Sequence, residues 1–235
     1  MPVPISSRLL CCAGLVPADA RVADVGADHG YLGVWLLQQG AAAHVCACDL
    51  RRGPLDSARR SAQKYAVAGR MDFYLSDGLQ NVPRDAYDTV VCAGMGGELI
   101  VKILSAAPWL KDPRYTLILQ PQIDADLLRA WLGGQGFYEN RADLALDAGH
   151  LYCVLRARFG KSEALSPGQR FVSPALLASD SPLLGEYISR TVRTLRRIAD
   201  GLERADANPE PERLNYYCSA IRELEEMEKR YADCE

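Results

Sequence analysis

The chain has 235 residues, 49% hydrophobic and 24% charged, enough to bury one substantial core and a small second unit. Its 27 basic and 30 acidic residues leave a net charge of -3, so bulk electrostatics point to neither a nucleic acid nor a membrane, and any basic surface must be local. The eight cysteines form no CxxC pair, and at least four sit in apolar runs, which reads as small buried hydrophobes in a reducing compartment rather than a disulfide framework or zinc site. No apolar run approaches a membrane-spanning length and no charged-then-apolar leader opens the chain, so a soluble, cytoplasmic protein with no membrane partner is expected.

Up to about residue 160, short apolar runs alternate with amphipathic segments in a βαβ rhythm. Strands are predicted at 21–25, 44–49, 71–75, 87–93 and 115–120, and helices at 31–39, 55–68, 98–106 and 125–132. The stretch "FYENRADLALDAGHLYCVLRARFG" then reads as two strands joined at residues 147–150, with no room for a crossover helix, so they pair antiparallel. Parallel βα units closed by an antiparallel strand form the Rossmann-like sheet of class I methyltransferases, an α/β fold, whereas a dinucleotide-binding sheet stays parallel to its end. Residues 161–182, rich in Ser, Pro and Gly, are expected to be a linker or docking segment. From 183 to 235 the apolar set Ile188, Val192, Leu195, Ala199 and Leu202 steps by three and four. After a turn-rich "ADANPEPE", Leu214, Tyr217, Ile221, Leu224 and Tyr231 continue, which predicts a C-terminal α-helical hairpin of coiled-coil type.

The stretch "DVGADHGYLG", residues 24–33, opens like a nucleotide-binding glycine turn. Gly26 allows a tight turn and close backbone approach to a ligand at the next helix N-terminus. Asp28 has two readings, helix N-cap or ligand carboxylate, and capping does not exclude the second. Asp49 ends the second strand, where a carboxylate can accept both ribose hydroxyls of an adenosine, and Asp77 follows the third strand, a position suited to an adenine amino group. There is no lysine-bearing glycine cradle for a phosphate, so the ligand reads as a nucleoside. A sulfonium cation fits among the acids, and S-adenosylmethionine carries one.

"CAGMGGELI", residues 92–100, closes the fourth strand, and Gly94, Gly96 and Gly97 either allow carbonyls to approach a flat base or simply fit a tight turn. In "LQPQ", residues 119–122, Pro121 fixes the backbone and Gln120 offers an amide, with a purely structural turn as the other reading. His29 and Tyr31 flank the first loop, as contacts to ligand or as an exposed histidine and a core tyrosine. His44 and His150 are isolated in sequence, and no metal is expected. On the first C-terminal helix Arg190, Arg193, Arg197 and Arg204 share the face opposite the apolar residues, either as a solvated surface or as an RNA-phosphate stripe.

Taken in order, "RLL…LVPADARVADVGADHGYLG", "RGPLDSARR", "SDGL", "AGMGGELI" and "LILQP" resemble the bacterial tRNA (adenine-22-N1)-methyltransferase family. The resemblance spans nearly the whole N-terminal domain. It implies a Rossmann-like methyltransferase domain over 1–160, a C-terminal coiled-coil hairpin, S-adenosylmethionine as cofactor, and tRNA as the partner methylated on N1 of an adenosine. Gly30 and Gly33 depart from the family's usual "DHAYLP" without removing a polar group.

The expected cofactor residues are Asp24, Gly26, Asp28, His29, Asp49, Leu50, Asp77, Gly78 and Gly94. Asp28, Tyr31, Gly94 and Met95 are the expected catalytic set, with the Gly94 and Met95 carbonyls fixing the adenine amino group. Arg8, Gly96, Gly97, Gln120, Pro121, Arg190, Arg193 and Arg197 are the expected tRNA contacts. A nicotinamide-dependent oxidoreductase is disfavoured by the antiparallel hairpin and by Asp77. A non-enzymatic RNA-binding or coiled-coil scaffold would have no use for three acids around a nucleoside pocket.

Overall fold

The computed structural model describes residues 2–204 and 211–232. Seven strands form one sheet in the order β3-β2-β1-β4-β5-β7-β6. They are β1 (Ala20–Val25), β2 (Ala42–Asp49), β3 (Met71–Leu75), β4 (Thr89–Met95), β5 (Thr116–Pro121), β6 (Phe137–Asp147) and β7 (His150–Phe159). The first five pair in parallel, β7 lies antiparallel between β5 and β6, and the β6–β7 turn places Ala148 at φ 48 and Gly149 at φ 81, as a two-residue hairpin requires. The reversed β7 is the strand that departs from a dinucleotide-binding sheet.

Helices cover both faces, which is why the central strands are near-continuous apolar runs. On one face Val22, Val45, Ala47, Val91, Ile118 and Val154 pack with α1 (Ser7–Leu15) and α2 (Tyr31–Gln38). On the other, their neighbours along the strands, among them Ala23, Cys46, Val90, Leu117 and Leu155, pack against α4 (Gly97–Ser105), α5 (Ala125–Gly134) and the C-terminal unit. The α3 helix (Arg52–Lys64) begins three residues earlier than the sequence pattern suggests, because Pro54 falls in its first turn, where no backbone donor is needed. The α1 helix has no counterpart among the predicted elements. Its signal was short: Ser6 caps it by accepting from the Leu9 N–H, and Cys12, Ala13 and Leu15 turn inward.

Residues 161–182 are packed rather than free. Val172 and Leu176 are buried, Leu176 in the short helix α6 (Pro174–Leu177). The fully buried Arg129 of α5 pairs with Glu139 at 2.7 Å and donates to the Arg170 and Phe171 carbonyls at 3.0 Å each, while Ser173 bonds the same Glu139. Glu223 of α8 (Pro211–Ala232) accepts from the Gly168 N–H at 2.9 Å, so the segment is clasped from both sides. The α7 helix (Leu184–Glu203) buries Leu184, Ile188, Val192, Leu195 and Ala199, and runs antiparallel to α8 through Arg196–Glu225 and Ser189–Glu228 contacts. Leu202 is half-buried, and the turn predicted between these helices lies largely outside the described residues. Among the described residues no helix is long and apolar enough to cross a membrane.

Candidate functional site

At the carboxyl edge of the sheet the loop after β1 is pinned down before it reaches α2. The N–H groups of Gly26 and Ala27 both donate to the Cys48 carbonyl, at 2.8 and 3.1 Å. Gly26 sits at φ 72, a left-handed conformation that favours glycine, and a Cβ on it would come within 2.5 Å of the Met95 methyl group, which would have to shift. Gly30, at φ 70, is the N-cap of α2 and provides no side chain, so Asp28 does not cap this helix. The chain enters α2 through a left-handed glycine, which leaves the Asp28 carboxyl exposed and free of that task. Its oxygen lies 3.7 Å from His29 Nε2, and the His29 ring stacks on Tyr31 with centroids 5.4 Å apart.

These residues line a cavity of about 230 Å³ whose wall comprises Arg8, Leu9, Asp24, Gly26, Ala27, Asp28, His29, Tyr31, Leu32, Ala93, Gly94 and Gln122. Asp24 is its electrostatic centre. The carboxyl is 5% exposed, and its Oδ2 has no hydrogen-bond partner. Burial, then the charge of Asp49, push its pKa up to about 7, against the opposing effect of the Gly33 N–H. An unsatisfied buried carboxylate is costly unless a donor or cation arrives. That orphaned oxygen, with the bare Gly26 backbone beside it, fits a cationic ligand such as S-adenosylmethionine.

Asp49, Leu50, Asp77 and Gly78, the other expected cofactor residues, are not on the wall of this cavity. Asp49 is 8% exposed and accepts from the Arg51 N–H at 2.9 Å, a local turn that is not a helix cap. Leu50 beside it is 67% exposed, and Asp77 is exposed in the loop beyond β3. Gly78, at φ 58, packs under Ile103.

The facing wall comes from β4 and β5. Gly94 is the extra residue of a bulge between these strands, at φ 77. The Met95 carbonyl already accepts from the Gln122 N–H at 2.8 Å, so of the two carbonyls expected to grip the adenine amino group, Met95's is engaged within the protein. Gly97 is explained by packing: a Cβ there would lie 2.3 Å from the Asp124 carbonyl oxygen. Gly96 is the N-cap of α4. Gln120 and Pro121 are buried beneath the loop rather than presented at its surface. Sequence reasoning missed Gln122, Leu9 and Asp147. The last lies on the hairpin, 4.0 Å from Arg8 Nε, and nothing in the local pattern singles it out.

Farther out, Arg193 and Arg197 are exposed on α7, while Arg190 is partly spent, donating to the Gly149 carbonyl at 3.0 Å and pairing with Glu186. Away from the carboxyl edge, the fold brings His44, Cys46 and Asp72 together, their ligand atoms within 4.8 Å of one another, although no linear spacing links them. His44 and Asp72 are already paired at 2.9 Å. Among the described residues five cysteines, Cys48 and Cys92 included, are buried.

An antiparallel β7 wedged into a parallel sheet, with an acid-lined pocket at the carboxyl edge, defines a Rossmann-like methyltransferase. The methyltransferase domain family matches residues 5–155. The Bacillus subtilis tRNA (adenine(22)-N(1))-methyltransferase is 32% identical over 164 residues, 70% of this chain and 69% of that protein. A crystal structure of the B. subtilis m1A22 tRNA methyltransferase superposes with a TM-score of 0.84 at 25% identity, covering 96% of this chain and 99% of that one. A Streptococcus pneumoniae structure in complex with S-adenosyl-L-methionine superposes with a TM-score of 0.78 at 29% identity over 96% and 100% of the two chains. The chain belongs to the tRNA (adenine(22)-N(1))-methyltransferase family.

Proposed function

We propose that this protein transfers a methyl group from S-adenosylmethionine to N1 of adenosine 22 in tRNA, acting in the cytoplasm. The observation that carries the reading is the unpartnered Asp24 oxygen, buried on the wall of a carboxyl-edge cavity in a chain of this family. S-adenosylmethionine, when bound, supplies an electrophilic methyl group on a positively charged sulfur. Asp24 would hold that cation against the buried carboxyl oxygen that the protein leaves without a partner. In this reading Asp49, on the neighbouring strand end, would accept from the ribose hydroxyls, and Asp77 would hold the adenine amino group.

Adenine N1 attacks with its own lone pair, so no side chain has to be activated and the enzyme's contribution is mainly alignment. The stacked His29–Tyr31 pair at the mouth offers a flat ledge for the target base. Gly94 supports the adenine edge from the opposite wall. Once methylated, the base is cationic until its amino group loses a proton, and the exposed Asp28 carboxylate stabilises that charge or takes the proton. The exposed Arg193 and Arg197 on α7 suit tRNA phosphates.

The test is to incubate the purified chain with tRNA transcript and methyl-labelled S-adenosylmethionine, digest the RNA, and locate the label. One label per tRNA, as 1-methyladenosine at position 22 and absent from a transcript carrying guanosine there, is expected. Label on another nucleoside, or on protein, would refute the assignment.

A further inference from the structure

Gln120 lies one residue before the end of β5 with its side chain fully buried, and both ends of its amide are occupied. The Oε1 accepts twice, from Arg8 Nη1 at 2.6 Å and from the Gly94 N–H at 2.9 Å. The Nε2 donates to the Pro121 carbonyl at 2.9 Å. Guanidinium and backbone N–H are donors only, and a carbonyl accepts only, so this pattern admits one orientation of the amide. Leu or Met at 120 would orphan two donors, and Glu would keep an oxygen to accept both bonds but set its other oxygen against the Pro121 carbonyl.

The residue that Gln120 holds, Gly94, is the one assigned above to the edge of the target base. Gly94 is the bulged residue of β4, in the left-handed region, and a Cβ on it would meet Arg8 Nη1 at 3.1 Å. Arg8 reaches this point from α1, with Asp147 of the β6–β7 hairpin 4.0 Å away and the Tyr152 ring 5.7 Å from its guanidinium carbon. The buried amide thus ties α1 to the β4 bulge, and Arg8 extends the link to the hairpin. Peptide bulges re-aim backbone groups, and a bulge held at only one end can swing.

We propose that Gln120 is a positioning residue for methyl transfer: by gripping the Gly94 N–H and the Arg8 guanidinium together, it sets the Gly94 peptide against the edge of the target adenine. The role rests on the adenine-methylation reading above and assigns Gln120 no contact with substrate. Its effect falls on alignment of N1 with the methyl group, to which transfer rates are steeply sensitive, and not on affinity for either ligand.

Single-turnover rates at saturating tRNA transcript and S-adenosylmethionine are compared for wild type, Gln120→Met and Gln120→Glu, with KM for tRNA, calorimetric affinity for S-adenosylhomocysteine and Tm measured alongside. Gln120→Met is expected to lose at least about 20-fold in rate while KM and cofactor affinity stay within about threefold, and Gln120→Glu, which restores the double acceptor, to recover most of the loss. Two results overturn the role: a Gln120→Met rate equal to wild type, or equal losses in both variants together with lowered Tm and weakened cofactor binding, which mark simple structural support. A wild-type enzyme that forms no 1-methyladenosine overturns the reading of the reaction and this role with it, whereas an active wild type beside an undiminished Gln120→Met removes Gln120 alone.

Discussion

Asp24, one residue before the end of β1, and Asp49, the last residue of β2, lie at one sheet edge, close enough that the charge of Asp49 adds to burial in pushing the Asp24 carboxyl up to about 7. Because that value lies above its ordinary 3.8, the stability Asp24 contributes is complete below the ordinary value and is lost as pH rises through about 7. The ligand-free protein should therefore show a falling Tm between about pH 4 and pH 7, levelling off above that, and Asp24→Asn should flatten that fall and raise Tm at the alkaline end. Affinity for S-adenosylmethionine should do the opposite in wild type, rising from about pH 6 to pH 7.5 as the carboxylate ionises, and be weak and pH-independent in the variant. Scanning and titration calorimetry measure both, and parallel pH profiles in wild type and variant would show that Asp24 is not the titrating group.

Asp49→Ala should weaken S-adenosylmethionine and S-adenosylhomocysteine binding by about 1.5–3 kcal/mol, the usual worth of hydrogen bonds to a charged group. Its present partner, the Arg51 N–H, is exposed enough in the turn to be rehydrated, so folding should be little affected. NAD(H) should not bind wild type at all. Unchanged cofactor affinity in Asp49→Ala would remove this residue from the site.

Asp28→Asn should lower single-turnover rate more than cofactor affinity. Asn tolerates the left-handed φ of 49 that Asp28 adopts, so the loop keeps its shape while losing the group that receives a proton or offsets the product's charge. Since Gly30, not Asp28, caps α2, a lost cap cannot account for a lower rate. Rates matching wild type at saturating tRNA and cofactor would leave alignment as the only source of catalysis.

Replacing Arg193 and Arg197 with Gln should leave S-adenosylmethionine binding intact while weakening tRNA binding and flattening its salt dependence, by about 0.7–0.9 in log–log slope for each lost phosphate contact. Arg190 is left in place because it also holds the β6–β7 turn through the Gly149 carbonyl. Circular dichroism controls for folding, since both side chains point away from the buried Ile188–Val192–Leu195 stripe. A wild-type salt slope would leave α7 as a packing element and direct attention to Arg51 and Arg52, exposed beside Asp49.

The strands, their order of appearance and the antiparallel closing hairpin were legible because burial on both faces writes near-continuous apolar runs into the chain, and "DAG" between two such runs leaves space only for a tight turn. Asp24, Gly26, Asp28 and Gly94 were legible as a group for a related reason: in a parallel sheet all such strand ends reach the same edge, whatever their separation in sequence. The α7 face was readable too, since helical period is local. Tertiary structure decided the rest, where one residue's partner comes from a distant part of the chain. Gly97 is bare because Asp124 crosses it, Gln120 is buried because Arg8 and Gly94 converge on it from α1 and β4, and His44 meets Asp72 only when β2 pairs with β3. Composition leaves residues 161–182 open as a linker or a docking segment, and the choice falls to a buried arginine 41 residues before Arg170, which satisfies two of their carbonyls and fastens them to the sheet. Local sequence carries the period of burial, but hydrogen-bond donors are assigned to acceptors only when the layers close.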